Sequence, residues 1–282
     1  RALCQRGPFR SVSQPQFAAL LRGLAEHDLV EQVPQGELIL ALTGERITAA
    51  FDFYATFQST EEFIIRCGAE EIGKLPADIV PPVGEHLILA GKRWRVEEII
   101  PDQKLVFVVF SPGGKAPPFQ GRAGEIHTRV VREMKTVLLG EEEPAYLDRN
   151  SILLLRAARR TARAVRLTER DILAGKQCIQ WFPWVGTRAL RTLSLLAKSA
   201  KIVHEMDRLS ITYRLPSLET FLDHLRQITA SEPDPIALAR LMPVKAVEKY
   251  DRFIAEPLLD EANSLSRLDV REAFLSCTTL LS

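Results

Sequence analysis

Trp94 sits among three cations in Lys92-Arg93-Trp94-Arg95. A cation can meet a phosphate while a neighbouring ring stacks on a base, so this grouping suits single-stranded nucleic acid. On a strand, Trp94 and Val96 would share one face and Arg93 and Arg95 the other. The faces are mixed. The ring fits a core position, or a stacking platform worth about 1–3 kcal/mol per base. Further along, Lys115 lies in a Pro/Gly loop over residues 111–121. There Gly113 and Gly114 would let a phosphate approach the backbone. The plainer reading of that loop is a flexible connection between strands.

A second basic feature follows. Arg156, Arg159, Arg163, Arg166 and Arg170 recur at spacings of three and four. On a helix over residues 151–170 they form one stripe, which Arg160 widens. Such a stripe can follow a phosphate backbone, and each neutralised phosphate steepens the salt dependence of binding. Equally, it can be a solvated face paired with Glu141, Glu142 and Glu143. Trp181, Phe182 and Trp184 read as core, with Gly186 and Thr187 opening the next helix. Backbone N–H groups at that helix start could face a phosphate; Thr187 serves as a cap in the simpler reading.

Nothing in the chain makes a self-contained active site, so no catalytic residue is assigned. Gly73-Lys74, Gly91-Lys92 and Gly175-Lys176 lack the spacing and hydroxyl of a GxxxxGK[ST] phosphate loop. Asp260-Glu261-Ala262-Asn263 falls in a helical pattern and reads as a surface helix, not an ATPase box. There is no GxSxG elbow. The five histidines and the distant Cys4, Cys67, Cys178 and Cys277 show no metal spacing, so no metal site is expected. Cysteines this far apart suit a reduced, cytoplasmic protein.

With 37 Lys and Arg against 36 Asp and Glu, the net charge of +1 excludes a globally basic binder but not a local patch. No apolar run reaches about 18 residues, so no membrane span is expected, and no signal peptide is recognisable. The first residue is Arg, which points to a piece of a longer chain.

The elements that must carry these residues fall into three expected domains, 1–50, 51–125 and 126–282, in an α+β fold. Residues 13–42 read as part of a winged helix: a helix capped by Ser13, then strands 29–33 and 37–42 around the turn Pro34-Gln35-Gly36. Residues 51–119 read as a small antiparallel β-barrel-like module, with strands over 53–58, 62–67, 86–90, 93–99 and 105–111. The remainder reads as mainly helical with a short sheet. Helices are expected over 127–139, from Asn150 or Ser151 to 166, and over 186–199, 217–229, 244–250 and 256–264. One or two strands fall within 201–213.

Several stretches together resemble the region after the motor domains in the large helicase-related (Lhr) family of ATP-dependent superfamily-two DNA helicases. They are Phe53-Tyr54-Ala55-Thr56-Phe57-Gln58, GKRWRVEEI from Gly91, Pro112-Gly113-Gly114-Lys115-Ala116-Pro117-Pro118-Phe119 and His127-Thr128-Arg129-Val130-Val131-Arg132. Phe182-Pro183-Trp184-Val185-Gly186-Thr187-Arg188 and Lys249-Tyr250-Asp251-Arg252-Phe253-Ile254 extend the likeness. Each motif is soft; their order and spacing over most of the chain carry it.

The resemblance implies a winged helix, a β-barrel-like module and a helical C-terminal domain that follow two RecA-like motors. It implies 3′ to 5′ translocation on single-stranded DNA by the parent protein, with unwinding of duplexes and of RNA–DNA hybrids. ATP and Mg would bind in the upstream motors, not in this chain. Trp94 would correspond to the family's base-stacking tryptophan. Arg93, Arg95 and Lys115 would contact phosphates, and Arg156, Arg159, Arg163 and Arg166 would line the strand's exit path or pack on the motors. Two other readings stay open: a structural or partner-docking domain without nucleic-acid contact, and a stand-alone DNA-repair enzyme.

Overall fold

The computed structural model describes residues 9, 12–54, 62–76, 80, 81, 83–100, 103–112 and 124–282. The fold is mixed α+β, with nine α-helices and three sheets among the described residues. It divides into two compact units, one formed by residues 1–43 with 125–282 and the other by residues 44–124.

The first unit begins with helix α1 (Gln14–Glu26). Ser13 and Gln16 close a reciprocal capping box at its start, which satisfies two otherwise orphaned N–H groups. A hairpin follows, β1 (Val30–Gln32) against β2 (Leu38–Leu40). Its turn depends on Gly36, whose φ of 88° is open to glycine at little cost. Asp28 then accepts from Thr43 N–H and Oγ at the start of helix α2 (Leu42–Ala49), which from Gly44 onward belongs to the second unit. The strands are shorter than expected, and α2 stands where no helix was expected.

The second unit is a five-stranded curled half-barrel. Its strands are β3 (Glu62–Cys67), β4 (Glu70–Pro76), β5 (His86–Leu89), β6 (Lys92–Ile100) and β7 (Leu105–Phe110), in spatial order β4-β3-β7-β6-β5. Bulges between Ile65 and Arg66 and between Val96 and Glu98 bend the strands. The two edge strands approach each other at Gly73 and Leu89, where a Cβ on Gly73 would lie 3.4 Å from Leu89 Cδ2. Contrary to an all-antiparallel module, β3 and β7 pair in parallel. The β3–β4 hairpin is followed by the β5–β6–β7 meander, so β7 returns beside β3 running the same way. Phe53 and Tyr54 lie in a 3₁₀ turn (Phe51–Tyr54), not a strand, and residues 55–58 lie outside the described residues.

The rest of the first unit is helical around a four-stranded antiparallel sheet. In order come α3 (Thr128–Leu139), α4 (Arg149–Ala164), β8 (Ile172–Ala174), β9 (Ile179–Trp181) and α5 (Thr187–Ser199). Then come β10 (His204–Met206), β11 (Ile211–Tyr213), α6 (Leu218–Thr229), α7 (Pro235–Arg240), α8 (Glu256–Arg267) and α9 (Val270–Leu281). The core gathers Trp181, Tyr213 and Phe221 with the apolar side of α5 and Leu225 of α6. Residues 244–250 form no helix; Asp251 accepts from the N–H groups of Val247 and Glu248 and holds that segment as a turn. Gln16 of α1 donates to Glu261 of α8, and His27 meets Phe253 edge to face, so the N-terminal elements pack on the C-terminal helices.

Candidate nucleic-acid interface

A two-residue turn decides which way β6 faces. Ala90 and Gly91 both have positive φ, 50° and 72°, the geometry whose twist matches a tight hairpin. It fixes Leu87 opposite Trp94 and His86 opposite Arg95. A one-residue slip would turn every side chain to the other face.

In this register Trp94 points into the half-barrel. It is 5% exposed, packs among Ile65, Leu87, Val96, Val106 and Val108, and donates from Nε1 to Leu89 O at 3.0 Å. The ring faces are therefore held by the core of this unit rather than offered at its surface. Arg93 and Arg95 take the opposite face of β6. Arg95 is half exposed and reaches Glu97, in the bulge, at 3.5 Å. His86 shares the Arg95 row and bonds to Ser111 at 3.1 Å. Arg66 lies on this outer face beside Phe107, with a buried Nε that has no hydrogen-bond partner among the described residues. Lys115 lies outside the described residues.

The arginine stripe separates into different jobs. Helix α4 starts from Asp148, not Asn150 or Ser151, because the Asp148 carboxylate accepts from Ser151 N–H. It ends at Ala164 in a Schellman turn. Leu167 N–H bonds Ala162 O, Arg166 N–H bonds Arg163 O, and Arg166 takes a φ of 60°. Arg166 and Arg170 thus leave the helical stripe.

Arg159 is 6% exposed. Its guanidinium donates to the carbonyls of Val137, Glu141 and Glu142 at 2.7–3.2 Å, closing the C-terminal end of α3. Arg156 is bidentate on Glu143, whose carboxyl that contact holds below its ordinary range. Arg163 pairs with Glu141, and Arg166 with Glu169. Arg160 is exposed and carries no ion pair among the described residues.

The motifs at 127–132 and 182–188 come together as two helix starts that cap each other. Thr128 Oγ accepts from Gly186 N–H, and Thr187 Oγ accepts from Ile126 N–H, both at 2.9 Å. Thr187 N–H donates to Ile126 O. The helix start at Gly186 and Thr187 therefore spends these two N–H groups within the protein, and Thr187 caps α3's approach rather than its own helix.

In the sequence, this pairing shows as a repeated Thr-Arg-x-x-Arg, at 128–132 and 187–191. Beside it Glu125 accepts from Arg188 at 2.6 Å and Arg191 at 2.9 Å. Burial opposes its charge, but the two guanidiniums outweigh that and lower its pKa. Trp184, 4% exposed and at a φ of 51°, donates from Nε1 to Asp171, which also accepts Lys135 bidentately.

Set against known proteins, the chain matches no family model, no curated protein and no solved structure. No helix among the described residues is long and apolar enough to cross a membrane.

Proposed function

We propose that this chain is the strand-gripping region of an Lhr-type ATP-dependent 3′–5′ DNA helicase, acting with RecA-like motors that precede it in the same protein. The observation that carries the reading is the orientation of β6: the tight Ala90-Gly91 turn anchors Trp94 inside and sets Arg93 and Arg95 side by side on the outer face. Cations at alternate positions of a rigid strand can follow successive phosphates. Trp94 positions them, and Lys115 would add a further phosphate contact. The α1–β1–β2–α2 segment supports the winged-helix part of the reading through its helix and its Gly36-turned hairpin. In this reading the hairpin meets the duplex junction. ATP and Mg act in the motors, and single-stranded DNA or a DNA/RNA hybrid is the partner.

The test is binding of the chain to a short fluorescent single-stranded DNA across a salt series. Arg93→Ala/Arg95→Ala should weaken binding and make the slope of log K against log salt shallower by about 1.4, at roughly 0.7 per phosphate. An unchanged slope would remove β6 from the interface.

A second reading, a partner-docking domain without nucleic-acid contact, is favoured by one observation: Arg156, Arg163 and Arg166 all spend their charge on nearby glutamates. In that case the strand would not bind even at low salt.

A further inference from the structure

The first unit carries a groove of about 920 Å³ between α3, the start of α4 and the loop before β11. A volume in this range takes a ligand of one to a few rings. Met134, Leu155 and Leu209 line its body, and Trp184 contributes to its wall. Tyr146 stands at its edge, 84% exposed. Val130 and Met134, one helical turn apart on α3, are also exposed on this side. So much uncovered apolar surface on one helix face marks a place that something else covers.

Charge says what kind of occupant fits. Arg129 lines the groove in the first turn of α3, next to His127. Arg149 begins α4 three residues after Tyr146, and Arg208 adjoins Leu209. Arg129, Arg149 and Arg208 carry no ion pair among the described residues, whereas most arginines of α4 and α5 described above are matched to acids. Glu133 is the acid lining the groove. An occupant with an anionic group for Arg129 and a flat, apolar part for the floor would match this lining, and an exposed tyrosine is suited to stacking on it.

We infer that this groove takes an unpaired nucleotide of a bound single strand. Its base lies on Tyr146 against the apolar floor, and its phosphate faces Arg129. The inference rests on the strand-binding reading and adds to it a second contact point on the other unit. It also gives the Trp184–Asp171–Lys135 linkage a task. An indole tied by its N–H to a carboxylate that a lysine grips from the other side makes a stiff wall. That wall is held at a backbone angle that bulky side chains rarely adopt.

The probe is a 15-nucleotide single-stranded DNA carrying 5-iododeoxyuridine at successive positions, irradiated with the full chain, with crosslinked peptides identified by mass spectrometry. A crosslink at Tyr146 is expected. Tyr146→Ala should remove it and weaken binding about thirtyfold, the middle of the range for one stacked base. Met134→Arg should also remove the crosslink by filling the floor, although it adds a cation that attracts the strand. Both sites are exposed, and circular dichroism checks that the variants fold.

If the strand binds but crosslinks elsewhere, with unchanged affinity for both variants, the groove assignment fails while strand binding stands. If an acidic amphipathic peptide occupies the groove and the strand does not displace it, the groove is a protein-docking site and the assignment also fails. No strand binding at low salt overturns the groove and the strand-gripping reading together.

Discussion

Gly186 and Thr128 meet too closely for any side chain between them. Gly186 N–H donates to Thr128 Oγ at 2.9 Å, and a Cβ on Gly186 would lie 2.6 Å from Thr128 N and 2.5 Å from Ile126 O. Those obstacles are backbone, so relief requires one helix start to move off the other. Gly186→Ala should destabilise the first unit by about 2–3 kcal/mol, as overpacking does. Urea denaturation, with a lowered midpoint and an unchanged m-value, is the check. Stability equal to wild type would mean that the helix starts are not held together. Thr128→Val, which keeps the shape and removes the acceptor, should cost about 1–2 kcal/mol by leaving Gly186 N–H unmet.

Arg159 belongs to a different energetic class from its neighbour Arg160. It satisfies three backbone carbonyls at the end of α3 from a buried position, whereas Arg160 faces solvent. Truncation to Arg159→Ala should cost about 2–3 kcal/mol, because charge-assisted bonds are lost and carbonyls are left unmet. Arg160→Ala should change stability by no more than about 0.5 kcal/mol. Arg159→Lys should recover little, since a point charge cannot replace the planar fork that reaches several carbonyls at once. Comparable losses for Arg159→Ala and Arg160→Ala would defeat this assignment.

Much of the architecture could be read from one dimension, and the failures have physical causes. The helices over 128–139 and 218–229 were legible to within a residue because capping chemistry is local: Gly140 closes α3 and Ser217 opens α6. The start of α4 was misplaced because Asp148, Asn150 and Ser151 can all cap, and only the bond from Ser151 N–H selects Asp148. Strand β4 was missed because Glu70-Glu71-Ile72-Gly73-Lys74 shows no apolar alternation. An edge strand against β3 needs little, and Gly73 is there for its closeness to Leu89.

The arginine stripe looked continuous because spacing does not report the Schellman turn at Arg166. The facing of β6 was left open by the sequence because alternation gives two faces but not which one is inside. The Ala90-Gly91 turn and the apolar partners Leu87 and Val108 settle that. The cavity beside Tyr146 involves residues from 127 to 209, and no local pattern announces such an assembly.

Trp94 tests the difference between anchoring and stacking. Its ring fills the half-barrel and meets Phe110 edge to face at 6.0 Å. Trp94→Ala should therefore lower the stability of the second unit by about 3–5 kcal/mol, the range for deleting a large buried aromatic. Trp94→Phe should retain most of the packing and lose the bond to Leu89 O, at about 1 kcal/mol. Single-strand affinity of Trp94→Phe should stay within about twofold of wild type if the residue acts by positioning Arg93 and Arg95. A loss near tenfold in a fully folded Trp94→Phe variant would show that the indole itself touches a base.

The core around α6 should give the protein a response to mild acid. His224 is 4% exposed, and its Nε2 has no hydrogen-bond partner among the described residues. Burial, and secondarily the nearby His204, push its pKa below the ordinary histidine value. Its ring packs at 5.9 Å from that of Tyr213, a phenol that burial keeps neutral. Cys277, from α9, has its thiol pushed up to about 12 by burial, so it is uncharged as well.

Among the described residues no carboxylate offsets a charge on His224, so protonation must desolvate a cation among neutral neighbours. Because the folded-state pKa is depressed, the unfolded chain binds the extra proton first. Stability is therefore full above the unfolded histidine value, about 6.5, and falls as pH drops below it towards the folded value. Urea midpoints measured between pH 5 and 7.5 should decline below about 6.5. That window lies above the range in which Glu125, whose pKa is lowered, would begin to lose its pairing with Arg188 and Arg191. His224→Gln keeps a polar group but cannot charge, so it should flatten the decline across the same window. A decline of the same size in His224→Gln would assign the acid response to another group.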